Sequence, residues 1–149
     1  MLTMAADNAN QRAGRKSAER RAGKPSKSAE ARAHPIADLT EGESALLAAI
    51  ARMPEPDRSV GHRIHEIIRA NAPGLTPRTW YGMPAYSKEG SVVCYFRGRD
   101  KFKERYITLG FNDEAHLDEG NLWPIVYAIT ELTPPEEARV AAIVKRAVG

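Results

Sequence analysis

The chain divides into a long polar start and a body in which apolar residues recur with regular spacing. Up to residue 38 the sequence is dominated by Ala, Arg, Lys, Ser, Gly and Asn, and the first solid apolar cluster begins at Leu46. A segment of this composition cannot bury enough apolar surface to offset the entropy lost on ordering. The pattern therefore predicts a disordered arm over residues 1–38 and a folded domain over residues 39–149.

Two helices are predicted at the start of the domain. Thr40 and Glu43 have the spacing of a capping box. The apolar positions that follow recur at helical spacing, namely Leu46, Leu47, Ile50 and Met53. Prolines at 54 and 56 end this helix, and Asp57 can cap a second one that ends near Asn71. The apolar face of the second helix consists of Val60, Ile64, Ile67 and Ile68.

From Thr79 to Thr130 the pattern favours β-structure. Short strands are predicted over residues 79–81, 85–87, 91–96, 105–111 and 126–131. Residues 88–90 suit a hairpin turn, and residues 97–104 form a longer polar loop. The acidic segment 113–120 is compatible with one helical turn. A capping box at Thr133 and Glu136, with Pro134 between them, predicts a last helix. The order of elements predicts an α+β domain with three helices packed on a mainly antiparallel sheet of about five strands.

The charge is unevenly placed along the chain. Residues 1–35 contain eight Lys/Arg and three Asp/Glu, a net of +5, whereas residues 36–149 contain fourteen and sixteen, a net of −2. The arm could therefore hold nucleic acid or another polyanion weakly, in a salt-dependent way. A plain solubilising tail is the alternative, and it is the favoured one.

The single cysteine, Cys94, lies in the apolar run Val92-Val93-Cys94-Tyr95-Phe96. This context predicts a buried, unreactive thiol. No stretch approaches the roughly 18 apolar residues of a membrane helix, and the N-terminus lacks the apolar core of a signal peptide. These features predict a soluble, cytoplasmic protein.

The run Tyr81-Gly82-Met83-Pro84-Ala85-Tyr86 resembles the signature of the DUF1801, or YdhG-like, family. Further matches to that family follow in order over residues 92–96, 106–111 and 127–133. The resemblance covers roughly residues 42–149 and implies a compact α+β fold similar to frataxin. Some members are described as frataxin-like intracellular iron chaperones, so the resemblance also implies iron as a candidate ligand.

An aromatic groove is the first candidate site. Gly82 lets the backbone bend with positive φ, and Pro84 cannot donate to a strand ladder, so a bulge or an edge is expected there. Alternation would place Trp80 and Tyr81 on opposite faces of a strand. The candidate ligand-binding residues are Arg78, Trp80, Tyr81, Met83, Tyr86, Tyr106 and Trp123. A core wall with amphipathic residues at its rim is the favoured alternative.

A metal site is the second candidate. Carboxylate oxygens suit iron, and the richest cluster consists of Asp113, Glu114, His116, Asp118 and Glu119. A solvated loop is the favoured alternative. The two N-terminal helices carry no acidic ridge, which counts against a simple transfer of the iron-chaperone role. His62 and His65, three residues apart, make only half of a zinc site and predict an exposed or partly buried polar face.

A basic loop is the third candidate. Its charges and one aromatic ring could bind phosphate or single-stranded nucleic acid through Arg97, Arg99, Lys101, Phe102 and Lys103. Asp100 and Glu104 dilute this charge, and a charged hairpin tip is the favoured alternative.

No nucleophile elbow, P-loop or dinucleotide fingerprint is present in the sequence. The sequence therefore predicts a non-enzymatic cytoplasmic binding module for a small ligand or iron. A nucleic-acid-associated protein is the alternative, and an enzyme of unknown reaction is the weakest one.

Overall fold

A computed structural model describes residues 40–149, so the predicted arm and its proposed polyanion binding lie outside the described residues. Three helices are present, α1 (Glu41–Ala51), α2 (Asp57–Asn71) and α3 (Pro134–Ala147). Five strands complete the fold, β1 (Thr76–Trp80), β2 (Met83–Lys88), β3 (Ser91–Arg97), β4 (Ile107–Phe111) and β5 (Val126–Ile129). The predicted α+β class is confirmed.

The sheet is a simple meander. Its strand order is β1-β2-β3-β4-β5, and each neighbouring pair is antiparallel. β1 and β5 are therefore the two edges. Pro77 lies in β1, where an edge strand tolerates a residue that has no N–H to donate.

The turn between β1 and β2 consists of Tyr81 and Gly82, because Trp80 pairs with Met83. Both turn residues have positive φ, 51° at Tyr81 and 77° at Gly82, which is the backbone of a type I′ hairpin turn. The positive φ expected at Gly82 is confirmed. The strand expected over residues 79–81 is wrong in its bounds, since β1 starts at Thr76 and Tyr81 lies outside it.

At Pro84, where a bulge or an edge was expected, the structure has no bulge, and the pairing of β2 with β3 begins only at Ala85. Pro84 pairs in register with Thr79, and the register shifts instead between Tyr86 and Ser87, where β2 meets β3. The turn after β2 is again two residues long and consists of Glu89 and Gly90, both with positive φ. The hairpin predicted over residues 88–90 is thus confirmed.

The core lies between the helices and one face of the sheet. The register aligns Tyr86, Cys94 and Phe111 in one row across the strands, and Phe96 and Leu109 in the next row. The helices contribute Leu46, Ile50, Ile64, Ile68, Val140 and Val144 to the same cluster. Burial of this apolar area is the main term that stabilises the fold.

None of the helices described over residues 40–149 has the length and apolar character that crossing a membrane requires.

Candidate functional site

A cleft of about 180 Å³ opens where three separate segments of the chain meet. We call it the turn cleft. The C-terminal end of α1 and the residues just after it provide Ala49, Arg52 and Met53. The β1–β2 turn and the start of β2 provide Gly82, Met83 and Pro84. The end of β3 provides Arg97, and the loop after it provides Gly98, Asp100 and Lys101. Asp57 lies at the base of that loop.

The loop wall of the cleft is held in place by Asp57. This carboxylate is 1% exposed and accepts two hydrogen bonds from Arg99, one from the backbone N–H at 2.8 Å and one from Nε at 2.9 Å. Asp57 was predicted to cap α2, and that prediction is wrong. Pro56 occupies the cap position, and the Glu55 carboxylate accepts the N–H of Ser59 instead. The Asp57 side chain therefore fixes the loop to the helix across 42 residues of sequence.

The cationic side chains of the turn cleft differ in how strongly they are engaged. Arg97 forms a two-point ion pair with Glu104. The Lys101 ammonium donates to the carbonyl oxygen of Tyr81 at 2.7 Å, which ties the loop to the turn. The Arg52 side chain is exposed and makes no hydrogen bond or ion pair within the described part of the chain. The lining of the cleft therefore includes one uncompensated guanidinium and one exposed ammonium.

The seven residues predicted to form an aromatic groove are not brought together as one surface. Tyr86 is fully buried on the helix side of the sheet, where its ring stacks on His65 and Phe96. Trp123 packs against the core, and Tyr106 lies beside Arg105. The seven residues therefore do not share one surface, because strand alternation and the β4–β5 connection separate them. Ligand binding by the members that remain accessible stays a prediction.

Part of the predicted set does form a local aromatic cluster. The Trp80 ring lies 5.0 Å from Tyr81 and 5.3 Å from Tyr95, measured between ring centroids. Trp80 and Tyr81 were expected on opposite faces, and they are in contact because Tyr81 lies in the turn. Arg78 is exposed on the same edge strand, and Met83 lines the turn cleft.

The basic loop is largely engaged with its own surroundings. Arg99 is held by Asp57, and its remaining N–H groups face the carbonyl oxygens of Arg105 and Thr130. Phe102 is 54% exposed, and the Arg97 guanidinium lies 4.5 Å from the centre of its ring. Lys103 is exposed and lies 3.8 Å from Asp100. Arg97, Arg99 and Lys101 thus shape the loop, while Phe102 and Lys103 remain on its surface.

The acidic cluster after β4 does not adopt the helical turn with which its sequence is compatible. The segment contains one tight turn, closed by the N–H of Ala115 to the carbonyl of Asn112, and then runs without regular structure. Buried Ala115 and Leu117 alternate with the exposed polar residues, so the chain is extended here. All five candidate ligands are exposed, namely Asp113, Glu114, His116, Asp118 and Glu119.

Within residues 40–149, no three side chains of His, Cys, Asp or Glu come together in a way that could hold a metal ion. Glu114 and His116 line a second cavity of about 200 Å³ together with Lys88 and Glu89. Iron binding at residues 113–119 stays a prediction.

A buried polar network was missed in the sequence. His65 is 7% exposed, and its Nδ1 lies 2.7 Å from the Tyr86 hydroxyl and its Nε2 lies 3.0 Å from the Glu43 carboxylate. Burial lowers the pKa of His65, although the hydrogen bond and charge of Glu43 act in the opposite direction. The neutral imidazole then donates from Nε2 to Glu43 and accepts at Nδ1 from the tyrosine hydroxyl. Burial also raises the pKa of Tyr86.

This Glu43–His65–Tyr86 network has the order of groups seen in proton relays, but it is closed to solvent. The sequence contained a sign that His65 is buried, because it lies four residues after Gly61 and three before Ile68, both of which are buried on the same face of α2. The exposed polar face predicted for His62 and His65 is therefore right for His62 only.

Cys94 is buried, as predicted, at 1% exposure. Burial raises the pKa of its thiol to about 12, so the thiol stays protonated at neutral pH.

The fold defines an α+β domain with a partly enclosed cleft beside a hairpin turn, and cationic side chains form part of the lining of that cleft. Comparisons of the chain with protein-family profiles, with curated proteins and with solved structures gave no match.

Proposed function

We propose that residues 40–149 form a non-enzymatic binding module whose ligand site is the turn cleft. The observation that carries this proposal is the meeting of three sequence-distant segments around one cavity, with Gly82, Met83 and Pro84 on one wall. These three residues belong to the run that carries the family resemblance. Concave sites with a few fixed polar groups are typical of small-molecule binding.

Two features support binding rather than catalysis. The Glu43–His65–Tyr86 network is buried, so a substrate has no access to the groups that could transfer a proton. The cleft itself combines cationic side chains with apolar surface from Met53, Met83 and Pro84, which suits recognition of a ligand. Iron is a weaker candidate ligand, since the described acidic residues do not converge.

The family assignment is part of the same proposal. The four motifs over residues 81–86, 92–96, 106–111 and 127–133 support membership in the DUF1801, or YdhG-like, family, and the α+β fold is what that resemblance implies. A cytoplasmic location also belongs to this proposal.

Mapping of small probes by ¹H–¹⁵N NMR on the full chain tests the binding site. Phenol, indole, acetate and inorganic phosphate are titrated separately, and the amides of Gly82, Met83, Gly98 and Lys101 are expected to shift first. Ala49→Leu fills the cavity from α1 and should suppress those shifts. Ala142→Leu adds the same atoms at an exposed position of α3 and should leave them unchanged.

Thermal unfolding establishes that both variants are folded. Should Ala49→Leu fail to fold, Arg52→Trp covers the mouth from an exposed position and serves the same purpose. Probe shifts that avoid the cleft, or that survive both blocking variants, would refute the proposed site.

A further inference from the structure

We infer that the turn cleft takes a phosphate monoester whose sugar also bears a planar aromatic base, as in a nucleoside monophosphate. This inference rests on the proposed function and names the ligand class of the same site. It draws on two groups of residues, the cations at the mouth and the exposed aromatic side chains on the segments that form it.

The charge balance at the mouth favours an anion. Among the lining carboxylates, Asp57 is neutralised by Arg99, and Asp100 lies within 3.8 Å of the Lys103 ammonium. Among the lining cations, Arg97 is offset by Glu104. The remaining charges are Arg52 and Lys101. The planar guanidinium of Arg52 can bind two phosphate oxygens at once, and the Lys101 ammonium adds a point charge in the lining of the same cleft.

Lys101 retains capacity for a ligand although it is tied to the turn. Its ammonium has three N–H donors, and its contact with the carbonyl of Tyr81 uses one. That contact also holds the ammonium near Gly82, where an added Cβ would lie 3.2 Å from Nζ. The hydrogen bond to Tyr81 therefore favours one position of this charge, at the end of a flexible side chain.

The exposed aromatic side chains lie on two of the segments that form the cleft, the β1–β2 turn and the loop after β3. Within residues 40–149, Tyr81 at 78% and Phe102 at 54% are the two exposed aromatic residues. Tyr81 belongs to the turn that bounds the cleft, and Phe102 follows Lys101 in the loop. The cavity is smaller than most ligand sites, so it fits a phosphate group and leaves an attached ring at the mouth. Stacking on aromatic side chains is how proteins hold such rings without specific hydrogen bonds.

Tyr81 is an unusual residue for its position in the backbone. Its φ of 51° is one that Asn, Asp or Gly adopts readily and that a bulky aromatic residue adopts at a cost. A strained residue of this kind points to a role that the local backbone does not explain. Ligand contact by the exposed ring provides that role.

Equilibrium titration of the full chain with four probes tests the inference. The probes are adenosine 5′-monophosphate, adenosine, ribose 5-phosphate and inorganic phosphate, with binding located by the amides of Gly82, Gly98 and Lys101. The monophosphate should bind about tenfold more tightly than either adenosine or ribose 5-phosphate, since stacking and phosphate contacts each contribute. Equal affinities for the monophosphate and for inorganic phosphate or adenosine would overturn it.

Substitutions of single residues show which side chain contacts the phosphate and which contacts the aromatic base. Arg52→Ala should weaken binding of the monophosphate about tenfold and leave the affinity for adenosine unchanged. Arg52→Lys should keep part of the affinity for the monophosphate. Arg139→Ala removes an exposed arginine of α3 and should leave the affinity for the monophosphate unchanged. This control distinguishes binding in the cleft from non-specific attraction of the phosphate to surface arginines. Unchanged affinity in Arg52→Ala contradicts the inference.

Tyr81→Asn separates a ligand-binding role from a structural one. Asn suits the positive φ, so the unfolding midpoint should rise, while affinity for the monophosphate falls toward that of ribose 5-phosphate. Full affinity in this variant contradicts the stacking role. If the small probes bind in the cleft but the monophosphate gains nothing over its parts, the inference fails while the proposed site stands. If no compound moves the cleft amides, both fail.

Discussion

The hydroxyl of Tyr86 lies 2.7 Å from Nδ1 of His65 in the centre of the domain. The two residues belong to β2 and α2, and Glu43 of α1 completes the network on the other side of the imidazole. Three elements of secondary structure are therefore joined by two buried hydrogen bonds. Such bonds stabilise a fold modestly when they are made and destabilise it strongly when one partner is lost.

Removing the Tyr86 hydroxyl should destabilise the protein. In Tyr86→Phe the apolar ring stays in place, but Nδ1 of His65 loses its donor in a buried site. We expect the free energy of unfolding to fall by about 1–3 kcal/mol, measured by urea denaturation with an unchanged slope. Tyr81→Phe is the control, because that side chain is exposed, and it should change stability by less than about 0.5 kcal/mol. Equal effects of the two substitutions would show that the buried hydrogen bond adds nothing.

The stability of the protein should decrease as the pH falls below the usual pKa of histidine. Burial holds the pKa of folded His65 below its ordinary value of 6.5, against the opposing effect of Glu43; Arg69 and His62 also lower it. The unfolded chain then binds more protons than the folded chain between the two pKa values. The part of the stability that depends on neutral His65 is therefore fully present above about pH 6.5. It is lost as the pH falls from that value through the lower pKa of the folded state.

Urea denaturation at about pH 7.5 and about pH 5.5 measures this effect. NMR titration of the His65 ring isolates it from other groups and should give a midpoint below 6.5. A midpoint above 6.5 would mean that the interaction with Glu43 outweighs burial, and stability would then increase toward lower pH.

The contact between Asp57 and Arg99 should contribute to the free energy of unfolding, because the Asp57 carboxylate is buried although Arg99 is partly exposed. Asp57→Ala removes a buried acceptor of two hydrogen bonds and leaves the N–H of Arg99 without its partner. We expect a loss of about 2–3 kcal/mol and faster amide hydrogen exchange at Arg99. Asp100→Ala is the matched control at an exposed position of the same loop, with an expected change within about 0.5 kcal/mol. Slow exchange at Arg99 in Asp57→Ala would count against this role.

Local patterns in the sequence are sufficient to predict most elements of the fold. The bounds of α2 follow from Pro56 before it and from apolar residues at helical spacing within it. The start of α3 follows from its capping box, in which Glu136 accepts the N–H of Thr133. β1 begins at Thr76, earlier than the predicted start at residue 79, and it includes Pro77, which the position of β1 at the sheet edge makes acceptable.

The turn cleft could not be predicted in the same way. It depends on contacts between residues far apart in sequence, such as Asp57 with Arg99 and Lys101 with Tyr81. No periodicity encodes such pairs. The sequence did indicate two of the contributing segments, since Met83 belonged to the predicted aromatic groove and Lys101 to the predicted basic loop. It placed them in two separate sites, and the fold brings them together.

The β1–β2 turn offers a direct test of how the cleft wall is built. Gly82→Val places a β-branched side chain at a φ of 77°, a region that L-residues avoid because Cβ approaches the following carbonyl. We expect a loss of about 1–2 kcal/mol, measured by urea denaturation. The added Cβ would also meet the Lys101 ammonium, which can move because it ends a flexible side chain. Gly74→Val is the control, since a Cβ there meets nothing within 4 Å, and its effect should stay within about 0.5 kcal/mol. A neutral Gly82→Val would mean that the turn adopts another conformation in solution, and the wall formed by Gly82 and Met83 would need to be placed anew.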